Sequence, residues 1–431
     1  MKKNISLCWQ FLFLFFILTN VVYAAPVKVQ GIVKDSLSNE VLSYASLGLK
    51  KYPIGTSTNL NGEFQLIVSD TLANEMITVS MMGYDSRSYK ISDMKNIYFE
   101  ILLNPHAIQL GEITVSPDQL TGEELLKKVI KNHNKNYPSG FCYYETFFRD
   151  LVTDDAKEAK IKNCRLTEAA VNIVDFGLDA SRDQKFKIHE IRNSYNYVET
   201  SLWSRAIIWK IKNPLETVYE FKNIIDKEGL KKYLEDECYS KRILEKTYID
   251  DAPTYVLELR QSCAKFLGFT NNNLQLYRIT ILYVNSKNWA IEEADYKFIN
   301  ESEIGDSVLF KANIKMQEYD NKYYLKLINF GGYISDEYAK IGNGADYKHY
   351  STLLVNSVIL ERKSIERIRR RNEMKSDLPL WDAQYTYNPE FWENYTILLD
   401  KPLDTSVIKD LEREELLKNQ FKDGGLKNSK K

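Results

Sequence analysis

The sequence predicts a mainly β protein in two parts: a small N-terminal sandwich or barrel, then a larger antiparallel β-rich (α+β) domain. Three observations predict it. Between residues 27 and 103, short runs of alternating apolar and polar residues recur at roughly 8–12-residue spacing, separated by Gly, Asn, Asp and Ser clusters. From 141 to about 362 the alternating runs become much longer. The chain also carries 29 tyrosines and 19 phenylalanines, side chains that suit pleated, half-buried surfaces. A length of 431 residues suits two or three domains. The 58 basic and 59 acidic residues nearly cancel, which removes any global electrostatic case for nucleic acid as a partner.

Residues 1–24 read as a signal peptide. Lys2 and Lys3 precede a short apolar core from Leu7 to Ile17, and Val22-Tyr23-Ala24 supplies the small residue before cleavage. The rival, a retained membrane anchor, needs ~20 uninterrupted apolar residues, and Gln10 and Asn20 interrupt this run. Export permits disulfides. Cys142, Cys164, Cys238 and Cys263 follow the predicted cleavage site, and four cysteines allow three pairings. Cys142 in FCYYETFF and Cys164 in KIKNCRLTE flank the polar turn VTDDAKE, so a hairpin would set them opposite each other. They are the first candidates for a disulfide, with free buried thiols the equal alternative.

Residues 25–115 make the first folded unit. VKVQGIVKD alternates, Asn61-Gly62 is a tight-turn dipeptide that tolerates positive φ, and Phe64, Leu66 and Val68 then mark one strand face. Gly31-Ile32-Val33-Lys34-Asp35, Ala45-Ser46-Leu47, Gly55-Thr56-Ser57-Thr58, Asn61-Gly62-Glu63-Phe64 and Ser80-Met81-Met82-Gly83-Tyr84 together resemble the carboxypeptidase regulatory-like domain. That resemblance implies a seven-stranded, transthyretin-like β-sandwich. Leu110-Gly111-Glu112-Ile113-Thr114-Val115 is similar to the segment that ends this domain in starch-utilisation-type TonB-dependent transporters. The remaining length cannot hold a plug and membrane barrel, so Leu110–Val115 reads as a final strand or linker, with a TonB-contacting strand the alternative.

Residues 116–140 predict a linker helix. Thr121-Gly122-Glu123-Glu124 forms a capping box ahead of Leu125, Leu126, Val129 and Ile130 at helical spacing. Residues 141–375 predict a meander of long antiparallel strands with a helical insert around 202–236. The pattern is similar to the curved half-barrel of outer-membrane lipoprotein carriers, whose concave sheet embraces helices or an acyl chain. Residues 376–431 hold Trp381, Trp392 and a predicted helix from Thr405 to Phe421.

Catalytic signatures do not emerge. None of His106, His133, His189 and His349 has a Glu three residues later, as a zinc carboxypeptidase needs, and there is no HExxH. Gly55-Thr56-Ser57-Thr58-Asn59 lacks the last glycine of a nucleophile elbow, and no phosphate or dinucleotide loop is present. Glu292, Glu293, Asp295, Asp250 and Asp251 read as solvated strand faces and turns, although two distant acids can face one cleft. The basic run ending in Arg369-Arg370-Arg371 offers contact with anionic headgroups, and Trp381 and Trp392 offer stacking on a ligand or partner. Plain alternatives are a solvated surface for the arginines and a core plug for the tryptophans. The expectation is an exported, non-catalytic envelope protein without cofactors, in the periplasm or on the periplasmic face of the outer membrane. It would bind another envelope protein and make at most peripheral membrane contact. Alternatives are a carrier of lipid or another hydrophobic ligand, and a hydrolase with an unrecognised carboxylate pair.

Overall fold

The computed structural model describes residues 26–106, 120–154, 164–178, 184–197, 218, 222, 224–261, 275–301, 307–335, 346–365, 368, 373, 380–383, 385–398 and 405–424. The signal peptide, Leu110–Val115, Cys263 and Arg369–Arg371 lie outside these residues.

Seven short strands form the predicted sandwich: β1 (Val27–Asp35), β2 (Ser46–Leu49), β3 (Gly55–Ser57), β4 (Glu63–Val68), β5 (Met76–Ser80), β6 (Arg87–Lys90) and β7 (Tyr98–Leu103), with a one-turn helix α1 (Ile91–Met94) before β7. One sheet runs β4-β1-β7 and the other β3-β2-β5-β6. Val29, Leu47, Phe64, Leu66, Val79 and Ile101 interdigitate between them. Gly31 is required by close approach, because a Cβ there would stand 1.9 Å from the Phe99 carbonyl oxygen. The Asn61-Gly62 turn differs from the expected one. Gly62 alone takes positive φ, at 74°, and the Asn59 side chain organises the bend by accepting from the amides of Asn61 and Glu63. The hydroxyls of Ser57 and Thr58 likewise donate to backbone carbonyls, of Ala45 and Leu42.

The larger unit is one ten-stranded antiparallel sheet. Strands β8 (Cys142–Asp154), β9 (Cys164–Asp175) and β10 (Lys185–Asn193) run out to one edge. After a crossover the chain returns from the other edge through β11 (Tyr239–Ile249), β12 (Ala252–Gln261), β13 (Gln275–Asn285), β14 (Ile291–Glu301), β15 (Ser307–Tyr319), β16 (Lys322–Ser335) and β17 (Asp346–Ile359), which closes on β8. Six strand pairs carry a register shift, at Ile188/Glu190, Ile243/Glu245, Tyr283/Val284, Phe298/Ile299, Lys315/Met316 and Val355/Ser357. Each inserts a residue on one strand and bends the sheet locally.

The bending makes a trough. Helix α2 (Gly122–Asn136), started by the predicted Thr121–Glu124 capping box, touches β11, β12 and β16. In a flat sheet β12 and β16 would lie four steps, roughly 19 Å, apart, and a helix about 10 Å across would not reach both. Leu125, Leu126 and Val129 of α2, with Leu230 and Tyr233 of α3 (Lys227–Glu235), share one core with Phe148, Ile173, Leu257, Ile291, Ile314 and Leu353 from across the sheet. The residues expected to link two domains are thus the filling of the second.

The hairpin of β8 and β9 forms, but not the Cys142–Cys164 pairing. Each cysteine begins its own strand, and antiparallel pairing sends the starts to opposite ends: Cys142 faces Asp175 and Cys164 faces Thr153. At ~3.4 Å per residue they stand roughly 37 Å apart. Both are buried and neither is in a disulfide, whereas Cys238 is disulfide-bonded.

The sandwich docks on the convex face. Ile54 bridges to Ser357, the Val358 amide donates to the Pro53 carbonyl, and the Ile67 amide donates to Thr396 Oγ1. Lys326 is the extra residue of the β15–β16 bulge, buried under the sandwich with Nζ 3.4 Å from the Leu47 carbonyl oxygen. Burial lowers its pKa from 10.5 to about 7. A lysine lowered on folding contributes stability that is present above pH 10.5 and is lost as pH falls towards 7, at about 1.4 kcal/mol per unit. Lys326→Met is therefore expected to flatten the rise in urea stability between pH 7 and 10; a variant that keeps the wild-type slope would show that the ammonium is not desolvated.

Candidate functional site

The polar groups that carry chemistry gather in two ion-pair groups, one on each face of the sheet, and around one buried glutamate. Charged residues interrupt otherwise apolar strands on both faces: by strand alternation Arg149 of β8, Glu168 of β9 and Arg192 of β10 lie on the convex face with Phe147 and Ala170, whereas Asp150 of β8 and Arg165 of β9 lie on the concave face with Phe148 and Val171. All twelve residues of β9 are buried, because a C-terminal segment covers what the helices do not. That segment contains α4 (Pro389–Glu393), α5 (Thr405–Leu411) and α6 (Leu417–Lys422). Trp392 of α4 packs with Phe147, Ala170, Leu327, Leu354 and Leu398.

Beneath this cover Glu168 lies fully buried between two arginines. Arg149 Nε donates to one carboxylate oxygen at 2.6 Å and Arg192 to the other. Burial alone would raise the carboxyl pKa; the charges of Arg192 and Arg149 outweigh it and hold the group below its ordinary value. The Arg192 guanidinium also lies 4.4 Å from the Trp392 ring centre. A second group lies on the opposite face of the same strands. Asp150 pairs with Arg165 at 2.9 Å and with His349, and accepts from Ser351 Oγ at 3.0 Å. Against the upward push of burial, His349 and Arg165 hold Asp150 at about 2. Arg165 lies 3.7 Å from the Trp381 ring centre.

Serine, histidine and aspartate thus meet, yet not as a catalytic triad. In a triad the imidazole lies between the other two and uses a different nitrogen for each. Here His349 Nε2 faces both Asp150 and Ser351, and Asp150 also contacts the serine directly. All three side chains are buried. Two acids do stand near Trp381 and Trp392, but each is neutralised in place, so this is a sealed ion-pair layer rather than a cleft. Trp392 is 5% exposed and out of reach of a ligand, which corrects its reading as a contact residue; Trp381 is half-buried under Arg165. The arginine run at 369–371 falls outside the described residues.

Glu292 is the extra residue of the β13–β14 bulge, where Ile291 and Glu293 take up consecutive partners. It is not the solvated strand residue that alternation suggests. It accepts from Thr254 Oγ1, Asn285 Nδ2 and the Tyr323 hydroxyl, with no cation paired to it among the described residues. Burial, reinforced by the charge of Asp250, pushes its carboxyl to about 7. Beyond α2 a cavity of about 250 Å³ is lined by His133, Tyr137, Pro138, Phe176 and Leu178 among others. Pockets for drug-sized ligands run from about 300 to 1,000 Å³. Among the described residues no helix is long and apolar enough to cross a membrane.

With that geometry in place, comparison with known proteins identifies the first unit: residues 29–115, a fifth of the chain, match the family model of the CarboxypepD_reg-like domain. No curated protein matches the sequence. Among solved structures the chain is similar to a DUF1329 family protein from Desulfovibrio piger, with 10% identity, 57% of this chain and 93% of that one covered, and a TM-score of 0.25. It is also similar to a LolA superfamily protein from Nitrosomonas europaea, with 13% identity, 60% and 100% covered, and a TM-score of 0.22. At these scores the likeness carries no functional argument.

Two outcomes follow from the buried charges. Glu168→Ala removes the buried carboxylate that Arg149 and Arg192 share and is expected to cost about 3–5 kcal/mol, read as a lower urea midpoint. Glu292, raised on folding, contributes stability that is present below pH 4.5 and lost as pH rises to about 7. Glu292→Gln should remove that decline and exceed the wild type in stability above pH 7.

Proposed function

We propose that the protein is a non-catalytic component of the cell envelope, exported to the periplasm, that holds another envelope protein through its N-terminal sandwich. One observation carries the reading: helices fill the inner face of the large sheet, and sandwich and C-terminal segment cover the outer face of β8, β9, β16 and β17, while the sandwich tip presents bare aliphatic groups to water. Leu37 is 83% exposed and Leu60 is 67% exposed, on turns at one end of the sandwich where Val41 abuts Gly62. Neighbouring exposed apolar groups mark a contact site more often than a plain surface. Asp150, Glu168 and His349 are sealed in ion pairs, which supports a binding role over hydrolysis at those residues.

The test is affinity capture from detergent-solubilised envelopes with wild type and with Leu37→Asp/Leu60→Asp, both protein and lipid being identified by mass spectrometry. The wild type should retain a defined protein that the double variant loses. Equal capture by both would overturn the assignment to the sandwich tip. A second reading, carriage of a hydrophobic ligand in the trough, is favoured by the cavity beyond α2; stoichiometric lipid in the captured protein, with no protein partner, would establish it instead.

A further inference from the structure

We propose that Asp85, His106 and Asp251 form a divalent transition-metal site that clamps the sandwich to the β11–β12 turn. Asp85 and His106 come from the sandwich, Asp251 from the large sheet, and their ligand atoms all lie within 4.8 Å of one another. His106 Nδ1 stands 2.5 Å from Asp85 Oδ1. The site lies far from the ion-pair layer in sequence and shares no residue with it or with the sandwich tip, so it stands independently of the proposed function.

Backbone contacts from both units place the ligands. The Asp85 amide donates to the Asn104 carbonyl and the His106 amide to that of Gly83. The Gly83 amide in turn donates to the Tyr248 carbonyl of β11, and the Ser86 amide to Asp251 Oδ1 at 3.1 Å. The His106 ring lies against Tyr248, with ring centres 3.9 Å apart, which fixes the imidazole plane. The three donors are therefore brought together from two domains by hydrogen bonds that do not involve the ligand atoms of Asp85 and His106.

The charge balance points to a cation. Among the described residues no lysine or arginine pairs with Asp85 or Asp251, and the His106 imidazole is the one basic group paired with either. A metal ion would take the place of the proton between His106 Nδ1 and Asp85, that proton passing to solvent. One imidazole nitrogen with two carboxylate oxygens is a donor set for zinc and its neighbours. Calcium and magnesium take oxygen ligands and more of them. Tetrahedral bonds of about 2.0–2.2 Å separate donor atoms by roughly 3.4 Å. The Asp85–His106 pair must open and Asp251 must close in by about an ångström, movements that partly exposed side chains can make. The fourth position faces solvent and would hold water.

Chelator-treated mature protein titrated with zinc chloride by calorimetry tests the assignment. The wild type should bind one equivalent and gain in thermal midpoint. His106→Gln and Asp251→Asn should each weaken binding by at least about a hundredfold, beyond what loss of a supporting contact does. Circular dichroism of the metal-free variants reports whether they fold, and Asp251→Asn decides if His106→Gln does not. Absence of stoichiometric binding, zinc affinity unchanged in folded Asp251→Asn, or calcium bound as tightly as zinc would each overturn the site.

Discussion

A sheet whose strands β8, β9, β16 and β17 carry apolar residues on both faces cannot leave either face of that part in water, and much of the rest of the molecule follows from that constraint. Strand β9, buried along its whole length, is its sharpest expression. Bulges curl the sheet until α2 and α3 fill the trough, and the convex face is then left to the sandwich and the C-terminal segment. Cover on both faces has an electrostatic consequence. Once water is excluded, Arg149, Glu168 and Arg192, and likewise Asp150, Arg165 and His349, must neutralise one another where they stand. The arginines also lie over Trp381 and Trp392, so the segment that removes the solvent supplies part of what replaces it.

The alternation of side chains made the strands legible, and the bulges account for what alternation missed. A strand read at period two assigns each residue to a face, but one inserted residue reverses the assignment beyond it. Glu292 and Lys326 are such insertions, and both are buried where period two would place them in water or leave them unassigned. The signal was present as a phase slip: Ile291 and Ala294 are both core residues yet stand three apart. The cysteine error has a related origin. Flanking one turn in sequence does not bring both cysteines near it: Cys164 adjoins the turn, and Cys142 stands at the far end of a twelve-residue ladder.

The sandwich was legible because its signature is local: a glycine forced by a neighbouring strand at Gly31, and a bend at Gly62 that an asparagine side chain completes. The ion-pair layer is the opposite case. Its members are separated by up to two hundred residues, and sequence offers only the hint that a charge within an apolar strand, such as Arg165 or Glu168, needs a partner under cover. It does not say which one. The Asp85–His106–Asp251 constellation was hidden for the same reason, since it depends on how one domain is seated on the other.

The seating is made at separated points rather than over one hydrophobic patch. Pro53 and Ile54 meet the end of β17, Ile67 meets the C-terminal segment, and Gly83 and Ser86 meet the β11–β12 turn, so the sandwich is held against rotation as well as against departure. Among these contacts Lys326 lies buried without a counter-ion among the described residues, where an apolar side chain of similar length would serve stability better. Much of the docking is therefore carried by backbone hydrogen bonds, which fix orientation more than they add adhesion.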